Sequence, residues 1–552
     1  MNFLVEIDGH WYDSVTRKRW VGTSTNLTGQ ANYGHSAAMS DAAATGRLVV
    51  ELKDFRINHV RVMQADGADA PTGIWLPTTK DEDWLRRFDV LVDLCERNDI
   101  RIELAFDQTD DVLAKAGVAG GLLALKTENG PARQALFGHI AWFLNHVSTV
   151  TGRRLGASPA LIVVESFNEL RFTDSKWHGK WAAVDADTER NLFAATKAAI
   201  KSLAPHVKFK VGQANYHSSA YTETEVADMH CYAGRAASGR SPNPATGVPA
   251  KIVNDIWIRR SSATDSGGFP MAGSTYGQAF STAWGHRQAG KLMEHSEAGV
   301  GVSDFHQGTF LVIMGILGAL HDSDLLSSFV WRYNQFENQP PRDLNIHAYP
   351  VLKLQHELVS LIREFGGIVP MPIHAVPLSA DPTKAVEWRS VGTGPNHAYL
   401  MRRLVVDPSL TAVSEPIPAN TNTRRIVSSP GVEWDVETGN VTVERDGLLL
   451  IAGVIPPVMR IGAMSIEADK EWMGLAAWST TNGQPVVDSG PANFYSWKNS
   501  LPKGFTWVGP GEYTGWGDNQ PNTNMPPNLQ ATLKMRRETR ILRPVEPKIV
   551  LA

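Results

Sequence analysis

Short apolar runs and longer amphipathic segments alternate along about the first 370 residues of the chain. The runs at 57–64 and 161–169 have the length and composition of buried strands. Segments 81–98 and 187–205 carry apolar residues at helical spacing, and Asp187 is placed to cap the second of them. The pattern therefore predicts a strand followed by a helix, many times over.

Eight strand-like segments occur in this part of the chain. They are residues 17–27, 57–64, 100–107, 161–169, 207–215, 225–234, 291–299 and 325–334. Alternation of strands and helices favours a parallel sheet, and eight repeats favour a closed (β/α)8 TIM barrel. An open doubly wound sheet is the alternative, but it needs a glycine-rich phosphate turn after the first strand, and VGTSTNLTG is not one.

The pattern changes after about residue 370. Prolines cluster, helical periodicity disappears, and Asp-Gly and Asn-Gly pairs separate short apolar runs, as in β-hairpins. We expect residues 1–372 to form a catalytic barrel and residues 373–552 to form an all-β sandwich accessory domain.

Composition excludes several classes of protein. The chain has 552 residues, 53 basic and 57 acidic, with 43% hydrophobic residues, which is ordinary globular composition without a nucleic-acid footprint. The apolar run Phe310–Leu320 is too short to span a bilayer. No signal peptide is visible, although a secreted chain without its signal would look the same. We expect a soluble protein with no nucleic-acid or membrane partner; oligomeric state and compartment stay open.

Cysteines and histidines give no sign of a metal or a cofactor. Cys95 falls on the apolar face of a predicted helix and Cys231 in a predicted strand, so both are expected to be buried thiols. The 17 histidines show no metal-ligand spacing. There is also no His-Glu-x-x-His motif, no Gly-x-Ser-x-Gly elbow and no phosphate loop.

Polar residues gather where the predicted strands end, which is where (β/α)8 barrels carry their chemistry. The candidate site residues are Arg61, Asp107, Asn168, Glu169, Asn215, His230, Tyr232, Glu297 and Trp331. Two carboxylates on different strands fit glycoside hydrolysis. One acid protonates the leaving oxygen, and the other attacks the anomeric carbon or activates water.

Four motifs carry a family resemblance: SFNE at 166–169, HCY at 230–232, SEAG at 296–299 and FVWRYN at 329–334. In their order and strand positions they resemble the clan A glycoside hydrolases, which are (β/α)8 barrels. The resemblance covers roughly the first 370 residues. It implies that Glu169, on the fourth strand, is the general acid/base and that Glu297, on the seventh, is the nucleophile.

The resemblance also implies roles for the neighbouring residues. Asn168 would bind the 2-hydroxyl of the sugar, Tyr232 and Arg61 would keep Glu297 ionised, His230 would line the site, and Trp331 would stack on a sugar face. Asp107 and Asn215 are weaker hypotheses, because each is equally consistent with a turn cap.

Two further acids need a separate interpretation. Glu294 competes with Glu297 as nucleophile, but three residues separate them, so in a regular strand they point to opposite faces. Glu297 is favoured because it precedes the Ala-Gly that ends the strand. The family often has an aromatic residue after the nucleophile, where this chain has Ala298. Glu165 lies inside an apolar run and is expected to be a buried, paired carboxylate.

The sequence thus predicts a retaining glycoside hydrolase that cleaves a β-glycosidic bond in an oligo- or polysaccharide. The alternative is a non-catalytic carbohydrate-binding protein on a glycosidase scaffold. A structural surface protein is a third hypothesis, which leaves the polar strand ends unexplained. The identity of the sugar stays open.

Overall fold

The structure is a computed structural model, and its description covers part of the chain. The described residues are 1–27, 42–64, 76–106, 108–168, 186–212, 223–233, 284, 287–300, 310–329, 331, 356, 359–360, 362–363, 367–377, 398–412, 425–435 and eight short strand segments between 441 and 535.

The chain begins with a hairpin that the sequence pattern does not predict. It consists of β1 (Leu4–Ile7) and β2 (His10–Asp13), paired antiparallel. Its apolar side chains Leu4 and Trp11 form a small cluster with residues at the beginning of three later strands, namely Ile162, Val163, Val226 and Leu292. The hairpin therefore covers the amino-terminal end of the sheet that follows.

Eight parallel strands form the central sheet. They are β3 (Gly22–Leu27), β4 (His59–Met63), β5 (Arg101–Ala105), β6 (Leu161–Asn168), β7 (Lys208–Gly212), β8 (Val226–Ala233), β9 (Leu292–Val300) and β10 (Leu325–Ser328). Their order is β7-β6-β5-β4-β3-β10-β9-β8. The backbone N–H of Glu225, just before β8, donates to the carbonyl of Phe209 in β7 over 2.9 Å. The sheet is thus a nearly closed barrel, and all eight predicted strands are confirmed.

Six described α-helices accompany the barrel strands. They are α1 (Ala42–Asp54), α2 (Glu82–Arg97), α3 (Thr109–Lys115), α4 (Pro131–Asn145), α5 (Ala186–Leu203) and α6 (Phe310–Leu320). Helix α2 begins at Asp81, whose side chain accepts a hydrogen bond from Trp84 N. Helix α5 already includes Asp187 in its first turn, so the predicted N-cap there is wrong.

The apolar faces of these helices lie on the outside of the barrel sheet and build one continuous core. Leu85, Phe88 and Cys95 of α2 are buried in it, as their helical spacing predicts. Cys231 is buried in β8, and both cysteines are free thiols, as expected. Among the described residues, no helix is long and apolar enough to cross a membrane.

Among the described residues after 372, the helices and strands are twelve strands and one 3-10 turn. Strands β11 (Ile373–Pro377) and β12 (Arg403–Asp407) pair in parallel, and an antiparallel sheet follows with the order β13-β14-β15-β16-β19-β20. The later strands are β13 (Arg425–Ser429), β14 (Val432–Asp435), β15 (Val441–Arg445), β16 (Leu448–Ile455), β17 (Val458–Ile461), β18 (Met464–Glu467), β19 (Trp472–Ser479), β20 (Pro485–Ser489), β21 (Phe505–Val508) and β22 (Thr532–Met535). The all-β sandwich predicted for residues 373–552 and the domain boundary at residue 372 stay predictions.

Candidate active site

Strand β9 carries a bulge in front of its carboxyl end. Asp228 pairs with Glu294 and His230 pairs with Glu297, so three residues of β8 oppose four of β9. The register with β10 shifts over the same stretch. Because an extra residue reverses the alternation of side chains, both glutamates point into the barrel, where Glu294 Oε2 lies 3.2 Å from Lys210 Nζ. The prediction that they lie on opposite faces of the strand is therefore wrong.

Strand β6 has the same kind of irregularity. Glu165 pairs with Lys210 and Asn168 pairs with Gly212, so β6 has one residue more than β7 between the two pairs. Glu165 and Asn168 consequently face the same interior space, and both accept hydrogen bonds from Nη2 of Arg61, at 2.6 and 3.0 Å. A Cβ atom at Gly212 would lie 2.6 Å from Glu165 Oε1, so only glycine leaves room for this arrangement.

Arg61 of β4 connects the groups at this end of the barrel. Its Nη1 donates to Glu297 Oε1 over 2.8 Å and to Asn26 Oδ1 over 2.7 Å. Its Nε donates to Glu165 Oε2 over 3.0 Å. Burial would lower the pKa of Arg61, but the carboxylates of Glu165, Glu297 and Glu103 raise it well above its ordinary value. Arg61 is thus a permanent buried cation beside Glu297.

His230 lies on the other side of Glu297. Its Nδ1 is 3.5 Å from Glu297 Oε2, and its Nε2 is 3.1 Å from Ser296 Oγ. The Ser296 hydroxyl donates to Asp228 Oδ2 over 2.7 Å, so its oxygen is placed to accept a proton from Nε2. With Nε2 as a donor, Nδ1 carries a proton toward Glu297 only when the imidazole is positively charged.

Lys210 of β7 lies below these residues, inside the barrel. Its Nζ is 2.5 Å from Glu103, 2.9 Å from Glu165, 3.2 Å from Glu294 and 3.8 Å from Asp228. Each of these side chains is at most 2% exposed. Burial would lower the pKa of Lys210, but the surrounding carboxylates raise it well above its ordinary value.

The glutamates around Lys210 differ in their tendency to hold a proton. Burial raises the pKa of Glu165, but Arg61 and Lys210 outweigh it and lower the pKa to about 2. Burial, together with the charge of Glu294, raises the pKa of Glu103 well above its ordinary value, although Lys210 opposes this. Glu165 is therefore an ionised, doubly paired carboxylate, as its position in an apolar run suggested.

The remaining candidates are placed less completely. Tyr232 lies in β8, but its side chain is outside the described part. Trp331 follows β10, is 2% exposed and meets Phe55 edge-to-face at 4.7 Å, so its contact with sugar stays a prediction. The residues Asp107, Glu169 and Asn215 lie outside the described residues.

Sequence reasoning missed Lys210, Glu103, Asp228 and Ser296. Lys210 and Glu103 could have been found from the sequence, because each is a charged residue inside a predicted buried strand, and a buried charge needs a partner of opposite charge. Within the described part of the chain, no three His, Cys, Asp or Glu side chains are arranged to hold a metal ion.

Comparison with known proteins gives structural similarity only. No protein-family model matches the sequence, and no curated protein matches it. Among solved structures, the chain is similar to the endo-β-1,4-mannanase from Thermotoga petrophila, at 12% identity and a TM-score of 0.43, covering 83% of this chain and 98% of that one. At 14% identity it is similar to a glycoside hydrolase family 5 mannosidase from Rhizomucor miehei, covering 66% of this chain and 98% of that one, with a TM-score of 0.43.

A second structure of that mannosidase, in complex with mannosyl-fructose, gives a TM-score of 0.45 at 14% identity, covering 65% of this chain and 97% of that one. At such identities nothing about the substrate of this chain follows from those enzymes. The nearly closed barrel of eight parallel strands, seen directly in the strand order, is the fold that the sequence resemblance to clan A glycoside hydrolases implies.

Proposed function

We propose that the chain is a retaining glycoside hydrolase that cleaves a β-glycosidic bond in an oligo- or polysaccharide. The observation that carries this proposal is the 2.8 Å contact between Glu297, near the carboxyl end of β9, and the permanent cation Arg61. A carboxylate nucleophile must be ionised, and an adjacent buried cation favours the ionised form. The position agrees with the strand ends where such barrels act.

In the proposed reaction, Glu169 donates a proton to the leaving oxygen while a Glu297 oxygen attacks the anomeric carbon. The glycosidic C–O bond breaks, and a covalent glycosyl-enzyme forms. Glu169 then takes a proton from water, whose oxygen attacks the same carbon and releases Glu297. Glu169 directly follows Asn168 in the sequence, which supports its assignment to this end of the barrel.

Neighbouring residues bind the sugar in this proposal. Because Asn168 Oδ1 accepts from Arg61, its amide nitrogen is turned away from that cation and is suited to bind the 2-hydroxyl. We assign His230 and Tyr232 to the surroundings of Glu297. Trp331 is proposed as a stacking surface.

Asp107 and Asn215 are proposed as polar groups at the barrel mouth, and no cofactor takes part. The region 373–552 is proposed as an accessory β-sandwich that follows a catalytic barrel at 1–372.

The test is turnover of a panel of aryl β-glycosides by the wild type and by Glu297→Gln. We expect the variant to lose on the order of 10³-fold or more in kcat. A 2-fluoro glycosyl fluoride should label the wild type covalently, and tandem mass spectrometry of the peptide that holds both Glu294 and Glu297 should place the label on Glu297. Glu294→Gln is the matched control, which should still become labelled.

Three outcomes contradict the proposal. Full activity of Glu297→Gln removes it as nucleophile. Labelling of Glu294 instead moves the nucleophile to that residue. Oligosaccharide binding seen by calorimetry, without any release of reducing ends over days, favours a carbohydrate-binding protein without turnover.

A further inference from the structure

The buried Lys210 has no part in the proposed chemical steps, yet it lies within the same polar cluster. A buried ammonium is costly unless opposite charges surround it closely. Lys208, two residues earlier on β7, is a partly exposed lysine by comparison. Its side chain is 14% exposed and pairs with Glu6 and Glu225 at 2.7 and 3.3 Å. The position of Lys210 therefore calls for a role that Lys208 does not have.

Two chains of contacts lead from Lys210 to Glu297. The first is short: Lys210 holds Glu165, Glu165 holds Arg61 through two of its nitrogens, and Arg61 holds Glu297. Each step is an ion pair of 3.0 Å or less between buried groups. A change at Lys210 is thus transmitted to the proposed nucleophile without any change in the groups that touch the sugar.

The second chain passes through β8 and β9. Lys210 lies 3.8 Å from Asp228, which accepts hydrogen bonds from both the backbone and the hydroxyl of Ser296. Ser296 in turn meets His230, which faces Glu297. The two chains close into a ring of seven residues with Lys210 opposite Glu297.

We propose that Lys210 is a positioning residue of the active site, which neutralises Glu165 from below and so leaves the charge of Arg61 available to Glu297. The inference rests on the proposed function, in which Glu297 is the nucleophile. Without Lys210, Arg61 is the only permanent cation of the ring. Glu165 and Glu297 then compete for it, and the ionised form of Glu297 becomes less favourable.

Other groups face this cluster and contribute to its titration. In the described part of the barrel they are His59 and Arg61 of β4, Glu103 of β5, Glu165 of β6, Asp228 and His230 of β8, and Glu294 and Glu297 of β9. Of these, Glu165 is ionised throughout the working pH range, since its pKa is about 2. Removing its charge is therefore the counterpart of removing that of Lys210.

The test measures kcat/KM against pH in Lys210→Met, in Glu165→Gln and in the double variant. The quantity compared is the acidic limb, the pH at which activity falls on the acid side of the profile. This limb reports ionisation of the nucleophile in the free enzyme. Lys210→Met should move the limb to higher pH by about one unit and lower kcat by about 10- to 100-fold. Glu165→Gln should move the limb to lower pH, and the double variant should return it toward the wild-type value.

Lys208→Met is the matched control, since it removes the same side chain from the same strand. It should leave the acidic limb unchanged. Thermal unfolding of every variant separates loss of folding from loss of positioning. If Lys210→Met does not fold, the comparison of Glu165→Gln with the double variant decides the question. The acidic limb returns toward the wild-type pH in the double variant if Lys210 acts through its charge, and it stays where Glu165→Gln puts it if the role of Lys210 is purely structural. If the acidic limb of kcat/KM lies at the same pH in the wild type and in all folded variants, the proposal is overturned.

Failure of the proposed function gives a different result. In that case the wild type itself hydrolyses no glycoside. Titration of Glu297 is then followed by 13C NMR of glutamate-labelled protein, assigned with Glu297→Gln. The same two opposite shifts in its pKa support the positioning role of Lys210, and their absence overturns it.

Discussion

Nη1 of Arg61 lies 2.8 Å from Oε1 of Glu297, while Nε and Nη2 of the same guanidinium hold the two oxygens of Glu165 at 3.0 and 2.6 Å. One planar group thus joins β4 to β6 and β9. The two bulges make this possible, because each turns a second side chain toward the interior. A lysine ammonium is a point charge on a single nitrogen, so it cannot bond both carboxylates with the geometry of the planar guanidinium.

Arg61→Lys should therefore lower both stability and activity. The single ammonium leaves at least one buried carboxylate without its partner, and breaking a buried pair in this way costs about 3–5 kcal/mol. We expect a loss of that size in the free energy of unfolding, measured by urea titration, and a large fall in kcat. The control is Arg86→Lys, because Arg86 pairs with Asp83 on the surface, with side chains 58% and 77% exposed. Its unfolding curve should match that of the wild type. Equal losses in both variants contradict the assigned role of Arg61.

Gly212→Ala should disturb the site without removing any polar group. The added Cβ would lie 2.6 Å from Glu165 Oε1 and 2.8 Å from Asn168 Oδ1, so these two side chains must move away from Arg61. Displacement by about 1 Å at a catalytic site costs on the order of 100-fold in rate. We expect kcat to fall by about that factor, with the fold retained by circular dichroism.

Gly138→Ala is the control for that substitution. Gly138 lies in the middle of α4, and an added Cβ meets nothing within 4 Å. Alanine in an exposed helix interior is favoured over glycine by about 0.5–1 kcal/mol, so this variant should be slightly more stable and fully active. An unchanged kcat in Gly212→Ala shows that the packing around Glu165 has no bearing on the reaction.

The barrel was predictable because strand-like and helix-like segments alternate along the chain, and because the strand side chains that face the helices are apolar. Each of the eight predicted segments overlaps a strand of the structure, including β6 and β9 with their terminal motifs. The amino-terminal hairpin was not predicted, since its side chains alternate too briefly to give a pattern. Its role depends on Leu4 and Trp11 meeting strands that are far away in sequence.

The relation between Glu294 and Glu297 was not predictable from spacing. Spacing tells which face a side chain takes only if side chains alternate regularly along the strand. The bulge in β9 interrupts this alternation, and it is a property of the pairing of β9 with β8 and β10. The same holds for Glu165 and Asn168 in β6. Bulges often lie beside active sites. Counting residues to assign side chains to a strand face is therefore least reliable at the strand ends that carry the site.

The interior charge cluster was hidden for a related reason. Residues Arg101, Glu103 and Ala105 share one face of β5, and strict alternation of this kind is usual for strands with one solvated face. Here the sheet closes on itself, so Glu103 points into the barrel and meets Lys210. The alternation could show that one face is polar, but barrel closure decides where that face points.

A second polar cluster should make stability depend on pH. His10 lies between Asp322 and Asp324, at 3.2 and 3.0 Å. Burial lowers the pKa of His10, but its bonds to the two carboxylates outweigh this and raise it above its ordinary value of 6.5. A raised pKa stabilises the fold fully below the unfolded value, and the effect is lost as the pH rises through the folded value. The stability advantage of the wild type over His10→Gln should thus be largest below pH 6.5 and decline above it.

His206 provides the opposite case for the same measurement. Burial lowers its pKa below 6.5, against hydrogen bonds from the ring to the carbonyls of Ser158 and Leu161. The fold therefore favours its neutral form, and its contribution is lost as the pH falls below 6.5. Urea unfolding of His206→Gln and His10→Gln between pH 5 and 9 should give differences from the wild type that slope in opposite directions. Parallel slopes contradict both assignments.

Truncation should show where the barrel unit ends. The sequence predicts the boundary at residue 372, but Val406 exchanges backbone hydrogen bonds with Arg287 and Ala289, at 2.7 and 2.9 Å. Arg403 pairs with Asp322 at 2.8 Å, and several residues between 399 and 406 are buried in the barrel core. A chain of residues 1–372 loses all these contacts, whereas a chain of residues 1–412 keeps them. We expect the shorter chain to unfold on the order of 10 °C lower in a thermal scan, or to be recovered only as aggregate. Equal melting temperatures would mean that the barrel is complete at residue 372, and that β12 merely rests on it.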